Sequence, residues 1–87
     1  MLYTNHARAR MSQRGISPRH IEQAIECSQP LHRAGVIFCF VRDKDTDTEQ
    51  IRGLTIVLNR DATTVLTVYK KRRKGLRAIK KKHKRTG

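Results

Sequence analysis

Apolar positions early in the chain recur at helical spacing. Ala7 and Met11 form an i, i+4 pair, and Thr4 or Asn5 stands where an N-cap is needed. The spacing predicts a helix to about Arg14, ended by Gly15. A second start follows at once, with Ser17 as N-cap and Pro18 at the first helical position. Ile21, Ala24 and Ile25 supply an i, i+3, i+4 stripe, Ile16 offers a staple ahead of the cap, and Pro30 is expected to close the helix. Two short helices joined by Arg14-Gly15-Ile16-Ser17 make an αα-hairpin.

Beyond Leu31 the pattern changes to strand. Val36 to Val41 is β-branched and aromatic, and both of its phenylalanines are expected to be buried. Gly35 marks a turn or bulge that leaves Leu31–Arg33 as a short separate strand. A polar, acidic loop from Asp43 to Glu49 precedes a strand over Ile51–Leu58, and Asn59-Arg60-Asp61-Ala62 reads as a hairpin turn. In the last strand, Thr64–Lys70, strict alternation puts Leu66 and Val68 on one face and Val65, Thr67 and Tyr69 on the other. The fold expected is α+β: two N-terminal helices packed on a three- or four-stranded antiparallel sheet, followed by a basic C-terminal tail.

Charge divides the chain more sharply than hydropathy does. The 87 residues carry 20 Lys and Arg against 7 Asp and Glu, a formal charge of +13. Residues 70–87 hold 11 of the 20 basic residues and no acid, which leaves 9 against 7, or +2, for residues 1–69. The expected organisation is one small domain over 1–69 and a basic arm over 70–87, self-repelling and flexible in isolation. Lys70, Lys71, Arg72, Arg73, Lys74, Arg77, Lys80, Lys81 and Lys82 of the arm are candidate phosphate contacts, together with Arg8 and Arg14 of the first helix. Such basicity points to nucleic acid, an acidic protein or an anionic membrane surface as partner.

No apolar run approaches the ~18–20 residues of a membrane span, and the N-terminus lacks the layout of a signal peptide. Cys27 and Cys39 are twelve positions apart without a second pair, so neither a disulfide framework nor a zinc site of ordinary spacing is expected. The compartment expected is cytoplasmic, with no membrane partner and no cofactor. Asp43, Asp45 and Asp47 imitate the opening of a calcium loop, but Thr48 stands at the glycine position and Leu54 at the bidentate glutamate position, so no metal site is expected there. His20, His32 and His83 show no ligand spacing.

Two constellations could carry chemistry. His6, Arg10, Gln13 and Arg14 share the face of the first helix that lies away from Ala7 and Met11. An imidazole can move protons near neutral pH, and guanidinium groups can stabilise charge on a pentacoordinate phosphate. Thr67 and Tyr69 lie on one side of the last strand, where hydroxyls can orient a phosphate or ribose and an aromatic ring can stack a base. The bland readings are a solvated helix face and ordinary strand composition.

The segment Thr4 to Met11 with Arg14-Gly15-Ile16-Ser17, the stretch Ile21 to Ile25, and the ending Leu66-Thr67-Val68-Tyr69 resemble a small bacterial family, the domain of unknown function 4258 group. The resemblance covers about residues 4–70 and leaves the arm outside. It implies kinship with RelE-like toxins and the wider fold of barnase, EndoU and colicin nucleases, hence metal-independent RNA cleavage. Transferred by position, His6 and Arg10 would be a helix-borne catalytic pair, with Thr67 and Tyr69 as strand-borne partners. The function expected is therefore a toxin-type endoribonuclease acting by 2′-OH attack, on RNA that is free or on the ribosome, with an acidic antitoxin as its protein partner. The alternative is a non-catalytic nucleic-acid-binding module that uses the basic tail.

Overall fold

The computed structural model describes residues 1–70; the arm residues Lys71, Arg72, Arg73, Lys74, Arg77, Lys80, Lys81 and Lys82 lie outside the described residues. In chain order the elements are β1 (Leu2–Tyr3), α1 (Asn5–Arg14), α2 (Pro18–Cys27), β2 (Gln29–Arg33), β3 (Val36–Phe40), a short 3-10 turn (Asp43–Asp45), β4 (Leu54–Asn59) and β5 (Thr64–Lys70). The five strands form one sheet in the order β1-β5-β4-β3-β2. The four strands from β5 to β2 pair antiparallel, and β1 adds a two-residue parallel edge beside β5. The α+β fold with two helices on one face of a sheet is thus as the hydrophobic pattern predicts. The parallel edge is extra, because two residues give no alternation to detect.

Both helices are closed by the residues the sequence offers. The Thr4 hydroxyl accepts from the Ala7 amide at 3.0 Å and donates to the Leu66 carbonyl at 2.7 Å, so the cap of α1 is also its bolt to β5. Gly15 ends α1 in the left-handed region at φ 64°, where its amide and that of Ile16 take up the carbonyls of Met11 and Ser12. Ser17 caps α2 and forms a reciprocal box with His20, whose Nδ1 accepts from the Ser17 amide at 3.1 Å. Pro30 does not end α2. The helix stops at Cys27, where the Ser28 hydroxyl folds back on the Ile25 carbonyl. Pro30 instead sits in β2, an edge strand, where a missing N–H costs no ladder bond.

The core is the layer between the helices and one face of the sheet. Ala7, Met11, Ile21 and Ala24 press on Ile37, Cys39, Val41, Leu54, Ile56, Leu58, Val65 and Val68. Register explains this set. Cys39, Ile56 and Val68 lie in one row across β3, β4 and β5, and Ile37, Leu58 and Val65 in the next. A bulge in the β4–β5 ladder at Val57/Leu58 leaves Leu66 without a partner. Strict alternation therefore fails at this point: Val65 turns into the core alongside Val68, and Leu66 is only half-buried. Ile51 is also buried, but in the turn before β4, which begins at Leu54.

Two alanines hold left-handed conformations. Arg33 pairs with Val36, so β2 and β3 are joined by Ala34-Gly35 alone, at φ 53° and 77°, as a type I′ turn demands. Ala62, at φ 58°, follows the turn whose Asn59 carboxamide oxygen accepts from the Thr63 and Thr64 amides at 2.8 and 3.0 Å. A Cβ in this region costs ~1 kcal/mol, part of which glycine returns as chain entropy. Ala34→Gly and Ala62→Gly should each raise unfolding free energy by about 0.5–1 kcal/mol, read as a Tm a few degrees higher. Thr4→Ala should lower it by about 1–2 kcal/mol; a Thr4→Ala variant as stable as the parent would refute the bolt between α1 and β5.

Candidate nucleic-acid interface

The face of the sheet turned away from the helices is lined by the alternate residues of each strand. One row runs Leu31, Phe38, Val57, Thr67 across β2 to β5, and the next runs Gln29, Phe40, Thr55, Tyr69. Phe38 and Phe40 are thus not core residues. They are half-buried on the open face, and the core positions of β3 belong to Ile37 and Cys39. The two-residue turn at Ala34-Gly35 sets this parity, since a one-residue slip would exchange the faces. Leu31 and Tyr69 are exposed, at 51% and 38%, beside the better covered Thr55 and Val57.

A shallow groove of about 260 Å³ crosses this face, lined by Leu31, Arg33, Phe38, Phe40, Thr55 and Tyr69. Three aromatic rings and one guanidinium around a groove form a platform on which flat, anionic ligands can stack. Of the residues singled out from sequence, Tyr69 belongs to it directly, and Thr67 lies in the adjoining row. Phe38, Phe40, Leu31 and Arg33 were missed. The signal was present: Ile37, Cys39 and Val41 as one alternating set imply that Phe38 and Phe40 form the other.

His6 and Arg10 lie elsewhere. Both are on α1, with His6 exposed and Arg10 half-buried, and α1 packs on the face of β5 that carries Val65 and Val68. Thr67 and Tyr69 project from the opposite face, so β5 stands between the two pairs. Their neighbourhoods are joined at Thr4, two residues before His6, which bonds to Leu66, the residue before Thr67. Among the described residues no hydrogen bond joins any two of the four. Arg8 and Arg14 are exposed on α1. Lys70 reaches the carbonyls of Glu49 and Gln50 at 2.9 and 3.4 Å, tying the end of β5 to the loop before β4.

The acidic loop is tied by its own side chains. Asp45 accepts from the Arg42 amide at 2.9 Å and from Arg42 Nε and Nη2 at 3.0 Å each, a bidentate pair closed over three residues. Among the described residues no group of three or more metal-ligating side chains comes together. Likewise no helix there is long and apolar enough to cross a membrane.

The fold is that of an α+β domain with one sheet face covered by helices and a groove on the other. A family model described as Domain of unknown function (DUF4258) matches residues 3–70, most of the chain, and the protein belongs to that family. No curated protein and no solved structure matches it.

The Arg42 hydrogen bonds, and to a lesser degree the Arg42 charge, hold the Asp45 carboxyl below the usual carboxylate range. A depressed folded-state value favours folding above the unfolded-chain value of 3.8 and ceases to do so as pH falls through the folded one. Acid unfolding of Asp45→Asn should therefore lose part of its pH dependence below about pH 4. An unaltered acid limb, followed by circular dichroism, would show that the pair contributes nothing.

Proposed function

We propose that this protein binds single-stranded RNA across the open face of its sheet. The observation that carries the reading is the aromatic groove: Phe38, Phe40 and Tyr69 on one face, with Arg33 at its border. Bases unstacked from an RNA strand lie flat on such rings, and each stacked base is worth about 1–3 kcal/mol. The arm supports the same reading, because it follows directly on β5, the strand that carries Tyr69. With 10 basic residues between 71 and 87 it can hold phosphates without regard to sequence, and the nearly neutral domain selects exposed bases.

A second reading is cleavage. The contact between Thr4 and Leu66 brings the start of α1 to the edge of β5, so a strand leaving the groove past Thr67 passes toward His6. There His6 would take the proton of a ribose 2′-OH as its oxygen attacks the adjacent phosphorus. Arg10 would stabilise the pentacoordinate phosphate, while Thr67 and Tyr69, on the other face of β5, would hold the neighbouring nucleotides of the same strand. The 5′-oxygen leaves with a proton drawn from water and His6 gives its own back to the solvent, leaving a 2′,3′-cyclic phosphate and a 5′-hydroxyl. This is the chemistry of a toxin-type, RelE-like endoribonuclease that needs no metal. Its natural restraint would be an acidic antitoxin covering groove and arm, and its substrate would be RNA free or on the ribosome.

Fluorescence anisotropy with a short labelled RNA tests the first reading. Phe38→Ala and Tyr69→Ala should each weaken binding about tenfold or more, while Tyr69→Phe retains it. Truncation after Lys70, which keeps the clamp on Glu49 and Gln50, should lower affinity and flatten its salt dependence. Equal affinity in Phe38→Ala, Tyr69→Ala and parent would overturn the groove as the binding surface. In metal-free buffer, cleavage by the parent that is lost in His6→Ala and Arg10→Ala would establish the second reading, and cleavage that survives both would remove the proposed site.

A further inference from the structure

The open face does not end at the groove. At the end of the sheet where the β2–β3 hairpin turns, a second cleft of about 470 Å³ is lined by His32, Arg33, Gly35, Val36 and Arg60 among others. Arg33 borders both clefts, and from it the second wraps around the end of the sheet to the helical side, where His32 pairs with the core residue Ile37. Arg60 comes from the separate β4–β5 turn, and two loops distant in sequence thus bring guanidinium groups to one hollow. Neither Arg33 nor Arg60 has an ion-pair partner among the described residues, where the ion pairs found are Arg42 with Asp45 and Arg52 with Glu49. Asp61, beside Arg60 in the turn, is exposed and is not among the lining residues. The backbone is open as well: a Cβ added at Gly35 would meet nothing within 4 Å.

Two unpaired guanidiniums and an imidazole around a hollow are more than one backbone phosphodiester requires. They suit the nearly doubly charged phosphate of a monoester, which offers three strong acceptor oxygens. A cleft at the end of the stacking platform, beyond the last aromatic row, is also where an oligonucleotide lying in the groove would end. We propose that the hairpin-end cleft is a terminal-phosphate subsite, which receives the phosphate monoester at one end of an RNA whose bases occupy the open face. Arg33 is the hinge of the arrangement, and Arg60 and His32 complete the anion pocket. The proposal rests on the RNA-binding reading for its ligand and names the end-group chemistry that the reading leaves open.

Adenosine 5′-monophosphate, adenosine 3′-monophosphate, adenosine and inorganic phosphate serve as probes in an amide NMR titration of the full chain. Either monophosphate should shift Gly35, Val36 and Arg60 saturably, adenosine should not, and the monophosphate that binds tighter identifies the end received. Arg60→Gln, an exposed turn substitution, should abolish those shifts and leave the rest of the spectrum in place. In parallel, a short RNA carrying the matching terminal phosphate should bind the parent about tenfold tighter than the same RNA with hydroxyl ends, and Arg60→Gln should erase that difference. Monophosphates that shift these amides no more than adenosine does would overturn the subsite, whatever the RNA result. RNA that binds with no preference for its end group would overturn it too while leaving the groove reading intact. Failure of all RNA to bind would overturn the groove reading and, with it, RNA as the ligand of the subsite; saturable monophosphate shifts in that case would leave the cleft a phosphate-monoester site.

Discussion

The parity of the sheet is the constraint on which everything else depends. Once Ile37, Cys39, Ile56, Leu58 and Val68 face the helices, the residues between them have no choice of side. Two local devices hold that parity. The turn at Ala34-Gly35 fixes β2 against β3 with no spare residue, and the bulge at Leu66 absorbs the one residue by which β5 would otherwise fall out of phase. Without that bulge, Val65 and Val68 could not both be buried, and Thr67 and Tyr69 could not share rows with Phe38 and Phe40. The Thr4 hydroxyl then uses the Leu66 carbonyl to fasten α1, so the irregularity that sets the open face also seats the first helix.

Much of the architecture was legible from local signals, because helix caps and turns are written in a few adjacent residues. Thr4, Gly15, Ser17 and the Asn59–Ala62 turn perform in the structure the tasks their types suggest. The misreadings all concern non-local facts. Pro30 looks like a helix terminator until β2 is known to lie at a sheet edge, where its ring is tolerated. Leu66 looks like a core residue until the ladder shows a bulge. The two phenylalanines look buried by composition alone, and only the register with β4 and β5 reveals them as the rim of a groove.

The candidate chemistry was legible in part for the same reason. Residue types suited to RNA were visible on the first helix and the last strand, but their mutual placement was not. The structure puts β5 between His6 and Arg10 on one side and Thr67 and Tyr69 on the other, and gathers around Tyr69 a set of partners drawn from β2 and β3. The large positive charge belongs almost wholly to residues 70–87. The domain contributes shape: a flat aromatic face with a guanidinium at its border.

Whether RNA meets the open face or the helical one is decided by methyl NMR of the full chain titrated with a short single-stranded RNA. Leu31 and Val57 report the open face, and Ala24, Ile21 and Met11 report the helical layer. Binding on the open face gives saturable shifts of Leu31 and Val57 at RNA concentrations that leave Ala24, Ile21 and Met11 unmoved. Shifts confined to the methyl groups of α1 and α2, with Leu31 and Val57 silent, would contradict it.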